Sequence, residues 1–204
     1  MSGIQPTLVT VLRHGEVRGR AHVYRGALDD PMTERGSDRV RAIAQRLAVP
    51  AFDRIASSPL ARCLDFAEAY AKACELPLET LESMREMHFG AWEGLTPEEA
   101  AELDPTHHEL FRGTAGKVGA PEGESVTDLR RRVGQGWAAW LADARGCHRL
   151  LVTHAGVMRV LLMELVGLDP AHAYRIALPE AAHFQVSHLP GEAPVLLNLN
   201  SCAG

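Results

Sequence analysis

Leu8-Val9-Thr10-Val11-Leu12-Arg13-His14-Gly15-Glu16 is the stretch on which the reading of the whole chain turns. Five strand-forming residues in a row, with Pro6 before them and Gly15 after, predict a fully buried strand. In an α/β protein such a strand empties at its carboxyl end into a crevice, and ligands bind there. This strand would deliver Arg13, His14 and Gly15 to that crevice in consecutive positions. Arginine supplies a rigid, planar set of donors matched to phosphate oxygens. Histidine titrates near neutrality and can act as an uncharged nucleophile. Glycine has no Cβ to hold a ligand off the backbone.

The same order recurs far downstream. Leu150-Leu151-Val152-Thr153 is a second apolar run, and His154-Ala155-Gly156 follows it. Val157, Val160, Leu161 and Leu165 then fall on one helical face. Two parallel strands, each ending in a histidine, can bring both rings to one crevice. The backbone N–H groups of Ala155 and Gly156 would open the following helix, where an anion is favoured.

The bulk properties narrow the classes. A chain of 204 residues with 46% hydrophobic residues is long enough for one α/β domain spanning 1–204. A net charge of −5 argues against a nucleic-acid or anionic-membrane binder, so any positive site must be local. Arg13, Arg18, Arg20 and Arg25 cluster early. Cys63, Cys74, Cys147 and Cys202 have neither C-x-x-C spacing nor the density of a disulfide framework, and read as reduced thiols. Met1 to Pro6 resembles no export signal, and no stretch reaches the roughly 18 apolar residues of a membrane span. A soluble, cytoplasmic protein is the expectation.

In chain order, Val17 to Pro31 reads as a loop walling the crevice. A helix is predicted from Thr33 on the spacing of Val40, Ile43, Ala44 and Leu47, and a strand over Phe52–Ser57. Ser58 is placed to cap the next helix with Pro59 at its first position, which puts Arg62 in the first turn beside a second anion seat. That helix runs to Cys74 and a strand follows at Leu78–Leu81. Met84 to Gly94 fits no period and reads as a packed, pocket-lining loop. A carboxyl set there against Phe or Trp suits a general acid, with Glu82, Glu86 and Glu93 all eligible. Thr96-Pro97-Glu98-Glu99 is a capping box. Leu103 to Glu124, rich in Gly and Pro, reads as a cap or lid, with His107-His108 solvated in preference to metal-binding. Ser125 caps a helix with Leu129, Val133, Trp137, Trp140 and Leu141 as its core stripe and Arg130-Arg131-Arg132 as its solvated face. Gly167 is a C-cap. His183–His188 and Val195–Leu199 close the sheet as strands, antiparallel at the edge.

Five ordered segments, Leu12-Arg13-His14-Gly15-Glu16, Ser58-Pro59-Leu60-Ala61-Arg62, Arg85 to Gly94, Gly123-Glu124-Ser125 and Thr153-His154-Ala155-Gly156, make the chain resemble the histidine phosphatase (phosphoglycerate mutase-like) superfamily. Tyr24 to Thr33, Arg85 to Gly94 and Gly156 to Pro170 are most similar to its α-ribazole phosphatase branch of cobalamin biosynthesis. The resemblance implies a three-layer α/β/α sandwich with a mostly parallel central sheet and a small cap over about 95–124. It implies that His14 is phosphorylated and that Glu86, ahead of Glu93 and Glu82, donates the proton. Arg13, Arg62 and His154 would form the phosphate pocket, with Gly15 and Ala155 at the substrate.

The implied reaction is hydrolysis of a small-molecule phosphomonoester without metal or cofactor. Mutase-type transfer and a noncatalytic phospholigand module are the alternatives. A homodimer is left open. The chain departs from the family twice: Val17-Arg18-Gly19-Arg20 lacks a usual Asn, removing a substrate contact. Arg62-Cys63-Leu64-Asp65-Phe66-Ala67 replaces Arg-Ala-x-x-Thr-Ala, a change expected to alter packing rather than chemistry.

Overall fold

A computed structural model describes residues 5–200. The chain runs β1 (Thr7–Arg13), α1 (Glu34–Leu47), β2 (Arg54–Ser57), α2 (Ala61–Cys74), β3 (Leu78–Thr80), α3 (Pro97–Leu103), α4 (Pro105–Gly113), α5 (Val126–Leu141), β4 (His148–Thr153), α6 (Ala155–Val166), α7 (Pro170–Ala173), β5 (His183–His188) and β6 (Val195–Asn200). One six-stranded sheet has the order β3-β2-β4-β1-β5-β6. β3, β2, β4 and β1 are mutually parallel, while β5 and β6 join antiparallel at the edge.

Both faces of the sheet are covered, which is why β1 and β4 are continuous apolar runs and not alternating ones. Leu12, Ile55, Leu150 and Val152 pack with Val40 and Ile43 of α1 and Phe66 and Tyr70 of α2. Val9, Val11, Leu151 and Phe184 face the other way, onto Leu129, Val133 and Trp137 of α5 and Val157 and Leu161 of α6. Alternate residues of each strand thus feed two separate cores. Each fully buried aliphatic side chain contributes about 1.5–3 kcal/mol.

Local signals place most helix starts. Thr33 caps α1, Thr96 and Glu99 close a reciprocal capping box on α3, and Ser125 caps α5. Gly167 ends α6 in the left-handed region at φ 66°. The start of α2 differs from the expectation. It begins at Ala61, not Pro59, and Leu60 precedes it without a side-chain cap. The Ser58 hydroxyl accepts from the Leu60 N–H at 3.3 Å and from His154, and the Ala61 N–H at the helix start donates to the Asp29 carboxylate at 2.6 Å. Asp29 therefore occupies the anion seat expected at this helix start.

The segment 103–124 also differs, because it contains α4. Asp104 accepts from the His107 N–H to cap this helix. His108 and Phe111 are buried from it against Trp92 and Tyr24. The two histidines are not a solvated pair: the His107 ring bonds to the Gly119 carbonyl, and His108 Nε2 meets the Tyr24 hydroxyl at 3.1 Å. Cys63, Cys74 and Cys147 are free thiols, and Cys202 lies outside the described residues. Among the described residues no helix is long and apolar enough to cross a membrane.

Candidate active site

The two histidine-bearing strand ends are flush. β1 and β4 are adjacent and parallel with Arg13 opposite Thr153, and the His14 N–H donates to the Thr153 carbonyl at 3.0 Å. The residue after each strand is therefore a histidine at the same level. Their ring centroids lie 5.4 Å apart, edge to face.

Their hydrogen bonds distinguish them. His14 Nδ1 lies 2.8 Å from the Gly15 carbonyl oxygen, which can only accept, so Nδ1 carries the proton and Nε2 keeps its lone pair. Burial, reinforced by Arg13 and Arg62, holds the His14 pKa well below the ordinary 6.5. The ring is thus an uncharged base with one free nitrogen at a cavity. His154 has no exposed surface. Its Nδ1 accepts from Arg62 Nε at 3.2 Å, which leaves the proton on Nε2, donated to the Ser58 hydroxyl at 2.7 Å. Burial and then Arg62 keep this ring neutral too. Both nitrogens of His154 are occupied, so it stands behind the cavity and braces Arg62.

Arg62 is 1% exposed yet reaches the cavity wall. Besides His154, it donates to the carbonyls of Leu28 at 2.6 Å and Gly26 at 2.8 Å, tying the 17–31 loop to α2. Three of its five N–H groups are used, and two remain for an anion. Arg13 donates to the Leu178 carbonyl at 2.6 Å, and its buried Nε has no partner among the described residues. Burial lowers both guanidinium pKa values, and Glu86 acts against that shift in each.

Glu86 is separated from its rivals by position. Its Oε1 accepts from the Met87 N–H at 2.9 Å and its Oε2 from the Gly156 N–H at 3.3 Å, and it lines the same cavity as His14. Glu82 sits exposed in an ion pair with Arg85. Glu93 accepts from the Ala27 and Phe89 N–H groups and serves as a loop clamp. Glycine has a purpose here that differs between the two motifs. A Cβ on Gly156 would collide with Glu86 Oε1, so this glycine makes room for the carboxylate. A Cβ on Gly15 would collide with the Gly36 carbonyl. Gly15 therefore lets α1 approach β1, and the expectation that it admits a ligand is corrected.

The cavity has a volume of about 1130 Å³. Arg13, His14, Arg62, Glu86, Ala155 and Gly156 line it, and the Ala155 N–H, at the first position of α6, has no acceptor within the helix. Tyr24, Phe89, Phe111 and Tyr174 provide aromatic walls. Arg25, from the early basic cluster, lines it and pairs with Asp30, whereas Arg20 is turned away to Glu99. Sequence reasoning missed Arg159, Tyr174 and Glu180, which also line it; Arg159 lies over the Tyr174 ring at 5.5 Å. The position of Arg159 one turn after Ala155 on α6 was the available signal.

A model of the histidine phosphatase superfamily (branch 1) matches residues 9–201. The chain belongs to that superfamily. It is 36% identical over 173 residues, 82% of its length and 78% of the relative's, to the "Probable phosphoglycerate mutase GpmB" of Yersinia pestis (strain Pestoides F). Among solved structures, a mycobacterial glucosyl-3-phosphoglycerate phosphatase superposes with a TM-score of 0.79 at 25% identity, over 90% of this chain and 91% of that one. A chain from Escherichia coli str. K-12 substr. MG1655, provisionally assigned as an alpha-ribazole-5'-P phosphatase, gives 0.83 at 22% identity over 97% and 98%. The last shares the fold.

As a histidine phosphatase the chain is a phosphoric monoester hydrolase. Of its two departures from the family, Cys63 is a buried packing residue: its Sγ lies 3.5 Å from the Thr153 carbonyl and against the His154 ring, and burial raises the thiol pKa. Val17 pairs with Met32 in an isolated bridge that closes the loop base.

Proposed function

We propose that the chain hydrolyses a small-molecule phosphomonoester through a phosphohistidine on His14, with Glu86 as proton donor and Arg13, Arg62 and the start of α6 holding the phosphoryl oxygens. The observation that carries this reading is the His14 Nδ1–Gly15 carbonyl bond, because it leaves Nε2 unprotonated at the cavity. His14 Nε2 attacks phosphorus as the ester P–O bond breaks, and Glu86 gives its proton to the leaving oxygen. Water then attacks the phosphohistidine, Glu86 takes the proton, and the P–N bond breaks. The two guanidiniums supply the charge stabilisation that phosphoryl transfer demands, and His154 acts by orienting Arg62. No metal or cofactor takes part in this scheme.

For the substrate we infer α-ribazole phosphate, and hence cobalamin biosynthesis in the cytoplasm, with no nucleic-acid or membrane partner. The aromatic walls suit a leaving group with a planar ring, and the Tyr24–Thr33 and Gly156–Pro170 stretches support that branch. Return of the phosphoryl group to a phosphoglycerate is the second reading, favoured by the name of the Yersinia relative. The test is phosphate release from α-ribazole phosphate, sugar phosphates, nucleotides and phosphoglycerates in the presence of EDTA, with 3-phosphoglycerate isomerisation followed in parallel. Release from α-ribazole phosphate unaffected by chelator is expected. Chelator-sensitive release overturns the scheme, and isomerisation outpacing release overturns hydrolysis.

A further inference from the structure

Arg132 is one of three consecutive arginines on α5, and its neighbours are surface residues. Arg130, part-exposed, pairs with Glu164, and Arg131, exposed, pairs with Asp128. Arg132 turns inward and spends every N–H it has. Nε and one Nη2 hydrogen bond Glu124 Oε1 and Oε2, at 2.7 and 2.8 Å. Nη1 donates to the carbonyls of Ser83 at 2.8 Å and Arg85 at 2.9 Å, and Nη2 to that of Glu86 at 3.1 Å. Three of the five bonds from this one planar group thus span the backbone from Ser83 to Glu86. The bidentate pair with Glu124 holds the fork in plane, which a lysine cannot reproduce.

Two further contacts converge on the same segment. A Cβ on Gly136, one turn along α5, would collide with the Ser83 hydroxyl, so the helix is cut away to seat this turn. Thr153, the residue before His154, donates its hydroxyl to the Met84 carbonyl at 3.1 Å. The 82–88 segment has a single 3-10 turn at Glu82–Met84 as its regular structure, and side chains from α5 and β4 fix the path of the backbone that follows it. Of this segment, Glu86 and Met87 line the cavity, and Glu86 is its one ionisable group there.

We propose that Arg132, locked by Glu124, is a positioning residue that sets the Glu86 carboxyl at the distance needed to protonate the leaving oxygen. The proposal rests on Glu86 being the proton donor. A displacement of about 1 Å in a reacting group costs on the order of 100-fold in rate. The pair is bidentate and only 28% and 15% exposed, so stability is expected to fall with it, and the positioning role is read from the contrast between substrates.

The experiment compares Arg132→Lys, Glu86→Gln and the double variant on glycerol 3-phosphate, whose leaving group needs a proton, and on p-nitrophenyl phosphate, whose leaving group does not. Arg132→Lys is expected to lower kcat on the glycerol ester by about 10- to 100-fold with KM nearly unchanged, and to leave the aryl ester within about threefold. In the Glu86→Gln background the same substitution should cost no more than about twofold on the glycerol ester. Equal losses on the two esters, or an undiminished loss in the double variant, overturn the proposal. If Glu86→Gln itself fails to distinguish the esters, the acid assignment falls and takes the proposal with it. If Glu86→Gln distinguishes them and Arg132→Lys does not, the positioning role alone falls. Should Arg132→Lys not fold, Glu124→Gln, which loses the charge opposite Arg132, is read by the same criteria.

Discussion

The ends of β1 and β4 carry the same local pattern, an apolar strand followed by histidine and small residues, yet the two histidines do different work. His14 spends one nitrogen on the carbonyl next to it and keeps the other at the cavity. His154 spends both, one on Arg62 and one on Ser58, and has no surface. Pattern and register bring the rings together; their hydrogen-bond partners assign the roles. A neutral histidine with a free nitrogen can attack, and one with both nitrogens engaged can only orient.

Three substitutions and a pH series probe that difference. His14→Ala should abolish turnover, by at least about a thousandfold, together with acid-labile phosphoenzyme labelling by a ³²P-labelled monoester. His154→Ala should lower kcat by about 10- to 100-fold while labelling of His14 persists, since only the orientation of Arg62 is lost. Labelling lost in His154→Ala and kept in His14→Ala reverses the assignment. Ser58→Ala removes two neutral hydrogen bonds, of which only the one to His154 bears on the site; that bond is worth about 1 kcal/mol, and turnover should slow only about threefold to tenfold. A loss as large as that of His154→Ala means that Ser58 does more than hold the ring.

The smallest effect is one the two histidines share. Both are buried with pKa values below the ordinary 6.5, as are His148 and His183. Below about pH 6.5 the unfolded chain takes up protons that the folded chain refuses, so stability falls as pH falls. A group that stays neutral in the fold weakens it by at most about 1.4 kcal/mol per pH unit below that range, a few degrees of Tm in a chain of this size. Thermal melts from pH 7.5 to 5.5 should therefore show a declining Tm, and His154→Gln should flatten the decline. A Tm that stays level or rises across this range contradicts neutral burial of the pair.

What was readable from residues alone follows the reach of each interaction. The β1 and β4 runs, the Thr96–Glu99 capping box and the α5 stripe are set by neighbours within four positions, and the structure agrees with them. Helix α4 was hidden because glycine and proline crowd 103–124, while the forces that hold it are the Asp104 cap and aromatic contacts to Tyr24 and Trp92, the latter two distant in sequence. The Asp29 cap on α2 and the inward turn of Arg132 come equally from afar. In a run of three arginines on a helix, successive residues point about 100° apart, so at most two can share the solvent face.

Hydrophobic runs, caps and motif order by themselves determined the family, the α/β layering and the meeting of His14 with His154 at adjacent strand ends, because strand burial and helix capping are written over a few residues. Only the folded chain decided which histidine has a free nitrogen and which glycine serves packing instead of ligand, while Glu86, already set ahead of Glu82 and Glu93 by the resemblance, is the one of the three that lines the cavity. Those choices depend on which polar groups meet across the sheet and loops, where separations of 70 to 140 residues are bridged by single hydrogen bonds.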